Sequence, residues 1–146
     1  MKYFSIKELC KSQTAIAKGW DNTPNLTEVS HLNELVDNIL DPLREAWGSG
    51  IKVNSGFRNE RVNKAVGGSS TSAHRLGYAA DLAPMNGKMT EFKTFVKKWL
   101  KDRNFDQYIN EFKGNSEWVH IGYKNAQGKQ RKQYLLFKNG RYSYIS

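Results

Sequence analysis

Ser72-Ala73-His74-Arg75-Leu76-Gly77-Tyr78-Ala79-Ala80-Asp81 places an imidazole and a carboxylate seven residues apart, with a glycine between them. A polar loop, Ser69 to Ser72, delivers His74, and the run from Tyr78 to Ala83 is apolar apart from Asp81. Such a run reads as a buried strand. An unpaired charge there is expensive, so Asp81 needs a partner. Histidine and aspartate both bind zinc, and catalytic zinc sites often take three protein ligands and keep a fourth position for water. Glu117-Trp118-Val119-His120-Ile121 supplies a second histidine, with a carboxylate three residues before it. Only three histidines exist in the chain, and two of them stand in these apolar, glycine-flanked segments. His74, Asp81 and His120 are therefore the candidate metal ligands, and Zn2+ the expected cofactor.

Zinc held by two neutral imidazoles and one carboxylate keeps a net positive charge, which acidifies a bound water toward neutral pH. Glu117 is the candidate general base. In a regular strand positions 117 and 120 face opposite ways. Glu117 must then lie on the loop entering the strand or at a bulge, which Gly114-Asn115-Ser116 makes plausible. Glu111 is the alternative base. Arg58 follows a glycine-containing turn directly after a strand, where a guanidinium holds a substrate carboxylate or stabilises a developing oxyanion. Ser72 either orients substrate or a ligand, or is a simple turn residue.

The wider chain frames these segments. Its 146 residues suit one domain, 1–146, with a single core. The net charge of +9 favours anionic polymers without saying which. The lone Cys10 excludes an internal disulfide and reads as a small buried residue. No apolar run has the length of a membrane-spanning helix. The N-terminal residues lack the apolar core of a signal peptide. No aromatic-basic platform or recognition motif supports a nucleic-acid binder.

Ser5 and Glu8 have capping-box spacing, which predicts a helix running to about Ala17 with Gly19 as its stop. Thr27 is the expected N-cap of an amphipathic helix through Leu43 that Pro42 kinks or divides, with His31 on its surface. Ile51 to Asn54 reads as a strand. Asn59 caps a short helix with Val62, Ala65 and Val66 inward. Thr90 caps a helix whose lysines, Lys93 among them, form the solvated side. Phe105–Phe112, Trp118–Tyr123, Tyr134–Phe137 and Tyr142–Ile145 read as strands, the last two joined by an Asn139-Gly140 turn. Helices and strands do not alternate regularly, so the expected class is α+β with a small, mostly antiparallel sheet and helices packed on it.

The series Ser55-Gly56-Phe57-Arg58, Asn63 to Gly67-Gly68, Ser72-x-His74-x-x-Gly77-x-Ala79-x-Asp81 and Trp118-Val119-His120 resembles the motifs of the zinc D-alanyl-D-alanine carboxypeptidase family. That family includes L-alanyl-D-glutamate endopeptidases of bacteriophage lysis, and the Hedgehog signalling domain shares its fold. The likeness covers roughly Phe4 to Tyr123 and leaves the tail beyond it uncovered. It implies zinc on His74, Asp81 and His120, an acid/base at Glu117, and a substrate-carboxylate or transition-state role for Arg58.

The expectation is a monomeric zinc metallopeptidase that cleaves peptidoglycan stem peptides, as a D-Ala-D-Ala carboxypeptidase or an L-Ala-D-Glu endopeptidase. Peptidoglycan is its partner, with no nucleic acid and no membrane insertion. The absence of a signal peptide suits a bacteriophage endolysin held in the host cytoplasm before release to the wall, or a virion-associated lysin. The rival is a non-catalytic wall-binding or structural protein that keeps the fold.

Overall fold

In the computed structural model, which describes residues 1–145, the single N-terminal helix expected is two short ones, α1 (Ile6–Leu9) and α2 (Gln13–Lys18). The break comes from a second cap: Ser5 accepts from the Glu8 amide, and Ser12 accepts from the Ala15 amide. Gly19 ends α2 with φ +66°. Cys10 is only half-buried, at the end of α1, and burial pushes its thiol up to about 11, which makes it a poor nucleophile at neutral pH.

The cap of the next helix lies two residues before the expected Thr27. Asn25 caps α3 (Leu26–Leu35) in a reciprocal capping box with Glu28. A π-helical segment, Val36–Leu40, then leads into α4 (Asp41–Trp47). The wider turn accommodates Pro42, which has no N–H to donate, without breaking the rod. Leu32, Leu35, Ile39, Leu40 and Leu43 are wholly buried along it. His31 is not a free surface residue: its ring stacks on Tyr78 at 4.1 Å and its Nδ1 lies 2.6 Å from the Leu76 carbonyl.

Six strands form one sheet in the order β1-β2-β4-β3-β5-β6, with β1 Ile51–Ser55, β2 Ala79–Pro84, β3 Gln107–Lys113, β4 Ser116–Gly122, β5 Gln133–Lys138 and β6 Arg141–Tyr144. Every pairing is antiparallel except β3 with β5. The class is α+β with a mostly antiparallel sheet, as the pattern of elements predicts. Asn139 and Gly140 take φ of +55° and +72°, the geometry of a tight two-residue hairpin turn.

The sheet has two different faces, because side chains alternate along each strand. Leu82, Val119, Ile121 and Tyr108 point into the main core beneath α7 (Met89–Leu100) and the α3–α4 rod. Fully burying each such aliphatic side chain contributes roughly 2 kcal/mol. The opposite face carries Asp81, His120, Ile109 and Glu111. Helices α5 (Glu60–Ala65) and α6 (Ala73–Leu76) precede β2. In α5 the inward residues are Val62 and Asn63, while Ala65 and Val66 face out. Thr90 lies inside α7 rather than capping it; Lys88 takes the cap position.

Candidate metal centre

His74 is built into place by backbone contacts. Ser72 caps α6, its Oγ accepting from the His74 amide at 3.2 Å. The His74 Nδ1–H donates to the Gly56 carbonyl at 2.7 Å, which leaves Nε2 as the lone-pair nitrogen facing Asp81. The Gly56 carbonyl can come that close only because residue 56 has no side chain: a Cβ there would lie 2.2 Å from the Leu9 carbonyl oxygen. Gly77 ends the turn at φ +84°, against the backbone of α3.

Asp81 and His120 are direct partners across β2 and β4. The Asp81 Oδ1 lies 3.0 Å from His120 Nδ1 and 3.2 Å from His74 Nε2. One donor atom from each of the three residues falls within 4.8 Å of the others, and all three residues are buried. Burial pushes the Asp81 carboxyl up, but the two imidazoles outweigh it and hold it well below the carboxylate range. Burial lowers His74, keeping it neutral. Burial also opposes the charge on His120, yet the bond to Asp81 prevails and raises it. This set fits zinc: two imidazole nitrogens and a carboxylate oxygen, with the tautomer of one imidazole fixed by an outer hydrogen bond.

Glu117 is not beside this set, which corrects the sequence expectation. It pairs with Phe112 in an unbroken β3–β4 register, so no bulge turns it round. Its carboxylate sits on the helix-covered face, accepting from Lys93 at 2.7 Å and from Asn110 at 3.0 Å. Lys93 is accordingly part-buried rather than solvated. Burial pushes the Glu117 carboxyl up, but those two bonds outweigh it and hold it below the usual value.

Glu111 is on the metal face. It lies opposite Trp118 in the sheet, with Oε1 3.7 Å from His120 Nδ1. Burial raises its carboxyl above the usual value, against the pull of His120 and Arg58. A carboxyl beside the candidate ligands and on the cleft wall is placed to transfer a proton.

Arg58 is held by its neighbours. Its amide donates to the His74 carbonyl at 3.0 Å, and the Phe57 amide to the Leu9 carbonyl at 2.8 Å. Buried Asn22 clamps both flanks: its Nδ2 donates to the Phe57 carbonyl, and its Oδ1 accepts from the Asn59 amide. Burial lowers the Arg58 guanidinium against the opposing charges of Asp81 and Glu111, and arginine stays cationic there. Its Nε is buried without a partner among the described residues. The Trp118 Nε1 is buried beside the Glu111 carboxyl, whose charged form it favours.

These groups line a cleft of about 1000 Å³, with Arg58, His74, Asp81, Glu111, Trp118 and His120 along its walls and Ser72 at its rim. An α+β sheet that gathers two histidines and an aspartate in a cleft, with a carboxyl and a guanidinium beside them, defines a metallohydrolase-type site. The sequence pattern of Peptidase M15 matches residues 2–122, and the chain belongs to that family of zinc peptidases, of D-Ala-D-Ala carboxypeptidase and endopeptidase type. Membership indicates a peptidase and, in general, peptidoglycan as the substrate. No curated protein matches the sequence. Among the described residues no helix is long and apolar enough to cross a membrane.

Proposed function

We propose that this single domain works as a monomeric zinc peptidase on the stem peptides of peptidoglycan, cutting a D-Ala-D-Ala or L-Ala-D-Glu type bond. The observation that carries the reading is the convergence of His74, Asp81 and His120 within 4.8 Å, with Glu111 at their side. His74 Nε2, Asp81 Oδ1 and His120 Nδ1 would hold the zinc. When bound, zinc supplies a Lewis acid that polarises a carbonyl and makes water more acidic.

The remaining work falls to the chain's own groups. Glu111 takes the proton from the attacking water as its oxygen bonds to the carbonyl carbon. It returns that proton to the amine as the C–N bond breaks. Arg58 lines the cleft with a cationic guanidinium whose Nε has no acceptor among the described residues, which suits a substrate carbonyl or carboxylate oxygen. The Ser72 hydroxyl accepts from His74 and still has its own proton to donate into the cleft. The net charge of +9 favours an anionic wall. A bacteriophage lysin, held in the host cytoplasm or carried on the virion, is the setting that we favour.

The test is mass spectrometry of purified peptidoglycan after incubation with the zinc-loaded protein. New amino termini at one stem-peptide bond, abolished in Glu111→Gln with zinc retained, are expected. Intact peptides from walls of several chemotypes, with zinc bound and the fold intact, would instead contradict the peptidase reading and favour the non-catalytic rival.

A further inference from the structure

Two rows of side chains cross the metal face of the sheet. One runs Asp81, His120, Ile109, Leu135, Tyr144, and the other Trp118, Glu111, Phe137, Tyr142. Both end on β6, in a hairpin beyond the residues that the family pattern matches. Tyr142 and Tyr144 are 62% and 75% exposed, the most exposed aromatic side chains among the described residues. They stand two residues apart on one strand and so share its face. Tyr142 also lines the metal cleft, with the Phe137 ring centred 4.5 Å from its own.

Planar polar groups flank Tyr144. Gln107 Nε2 donates to Gln133 Oε1 at 2.9 Å, and Gln133 Nε2 reaches the Tyr144 hydroxyl at 3.4 Å. Exposed aromatics on an edge strand invite aggregation unless a ligand uses them. Flat rings beside amide groups match one ligand chemistry closely. The C–H face of a pyranose stacks on tyrosine while its hydroxyl and N-acetyl groups bond to amides. Tyrosine offers this rigid area at low entropic cost.

We propose that Tyr142 and Tyr144, with Gln107 and Gln133, form a carbohydrate subsite that holds amino sugars of a glycan strand beside the peptide cleft. The choice of glycan rests on the peptidase reading above, since stem peptides hang from an amino-sugar polymer, and the sugar lies nearest the cut bond when that bond is of the L-Ala-D-Glu type. The hairpin then makes the enzyme prefer wall-attached peptides to free ones.

The test titrates the zinc-loaded chain with a peptide-free N-acetylglucosamine oligomer, followed by calorimetry. Saturable binding is expected, weakened about fivefold or more by Tyr142→Ala or Tyr144→Ala and recovered by Tyr144→Trp, which keeps a flat ring. In parallel, kcat/KM is compared for one stem peptide with and without its disaccharide. The attached form should be favoured through KM, and the ratio should fall toward unity in the alanine variants. No binding by the wild type at millimolar oligomer, or binding undiminished in a folded Tyr142→Ala/Tyr144→Ala variant, overturns the proposal. If neither peptide is cut, the peptidase reading fails, while the titration still decides the sugar site.

Discussion

The Glu111 carboxylate lies 3.7 Å from Nδ1 of His120, on the same face of the sheet as Asp81. Glu117, three residues before His120, is turned to the other face and tied to Lys93. The two glutamates therefore separate cleanly by mutation. Glu111→Gln is expected to lower kcat by about 10²–10⁴, the usual contribution of a positioned general base, with zinc content unchanged. Glu117→Gln should stay within a few-fold of wild type. Equal losses in both, measured with metal quantified, would return the base role to Glu117.

Glu117 has a stability role instead. Its carboxyl is held below the ordinary value of 4.5 in the fold, so its bonds stabilise the protein fully above that value. That contribution is lost as pH falls through the depressed folded value. Replacing it by glutamine should cost about 1 kcal/mol at neutral pH, since the pair with Lys93 is part-exposed. The difference between variant and wild type should vanish in acid. Urea melts at neutral and low pH measure this, and a difference that grows in acid would refute it.

Gly56→Ala tests the outer hydrogen bond of His74. The added Cβ meets the Leu9 carbonyl at 2.2 Å, so the backbone at residue 56 must shift and carry the Gly56 carbonyl away from Nδ1. Loss of such a supporting contact typically lowers metal affinity about 10–100-fold. Competition against a chelating dye reads that shift; unchanged affinity in a folded variant would show that the Gly56 carbonyl does not orient the ring.

Asn22→Ala removes two bonds to the carbonyls of Cys10 and Phe57 and one from the Asn59 amide. Buried groups left unpaired should cost about 3 kcal/mol in total. Because Arg58 lies between the two clamped residues, kcat/KM should fall as well. A loss of stability without any change in kcat/KM would separate the clamp from the site.

Much of this was legible in the chain, for identifiable reasons. The serine, histidine and aspartate of the Ser72–Asp81 segment sit within one turn-and-strand unit, and His120 follows in an apolar strand. The parity of positions 117 and 120 already set Glu117 against His120. What was missing was the register showing β4 to be regular through Ser116. The side carried by Glu111 depended on the same β3–β4 pairing. Asn22 gave no signal, because its bonds reach residues 12 and 35 positions away. The hairpin was legible from Asn139-Gly140, but its parallel docking on β3, which brings Tyr142 to the cleft, is a long-range choice that no local pattern encodes.

Crystals of the zinc-loaded protein, with anomalous scattering recorded on both sides of the zinc edge, address the metal centre most directly. One peak is expected, bonded at about 2.0–2.2 Å to His74 Nε2, an Asp81 carboxylate oxygen and His120 Nδ1, with a position open to the cleft. A zinc-bearing protein whose peak lies elsewhere, or whose ion is closed off by a fourth protein ligand, would contradict a catalytic centre built on these three residues.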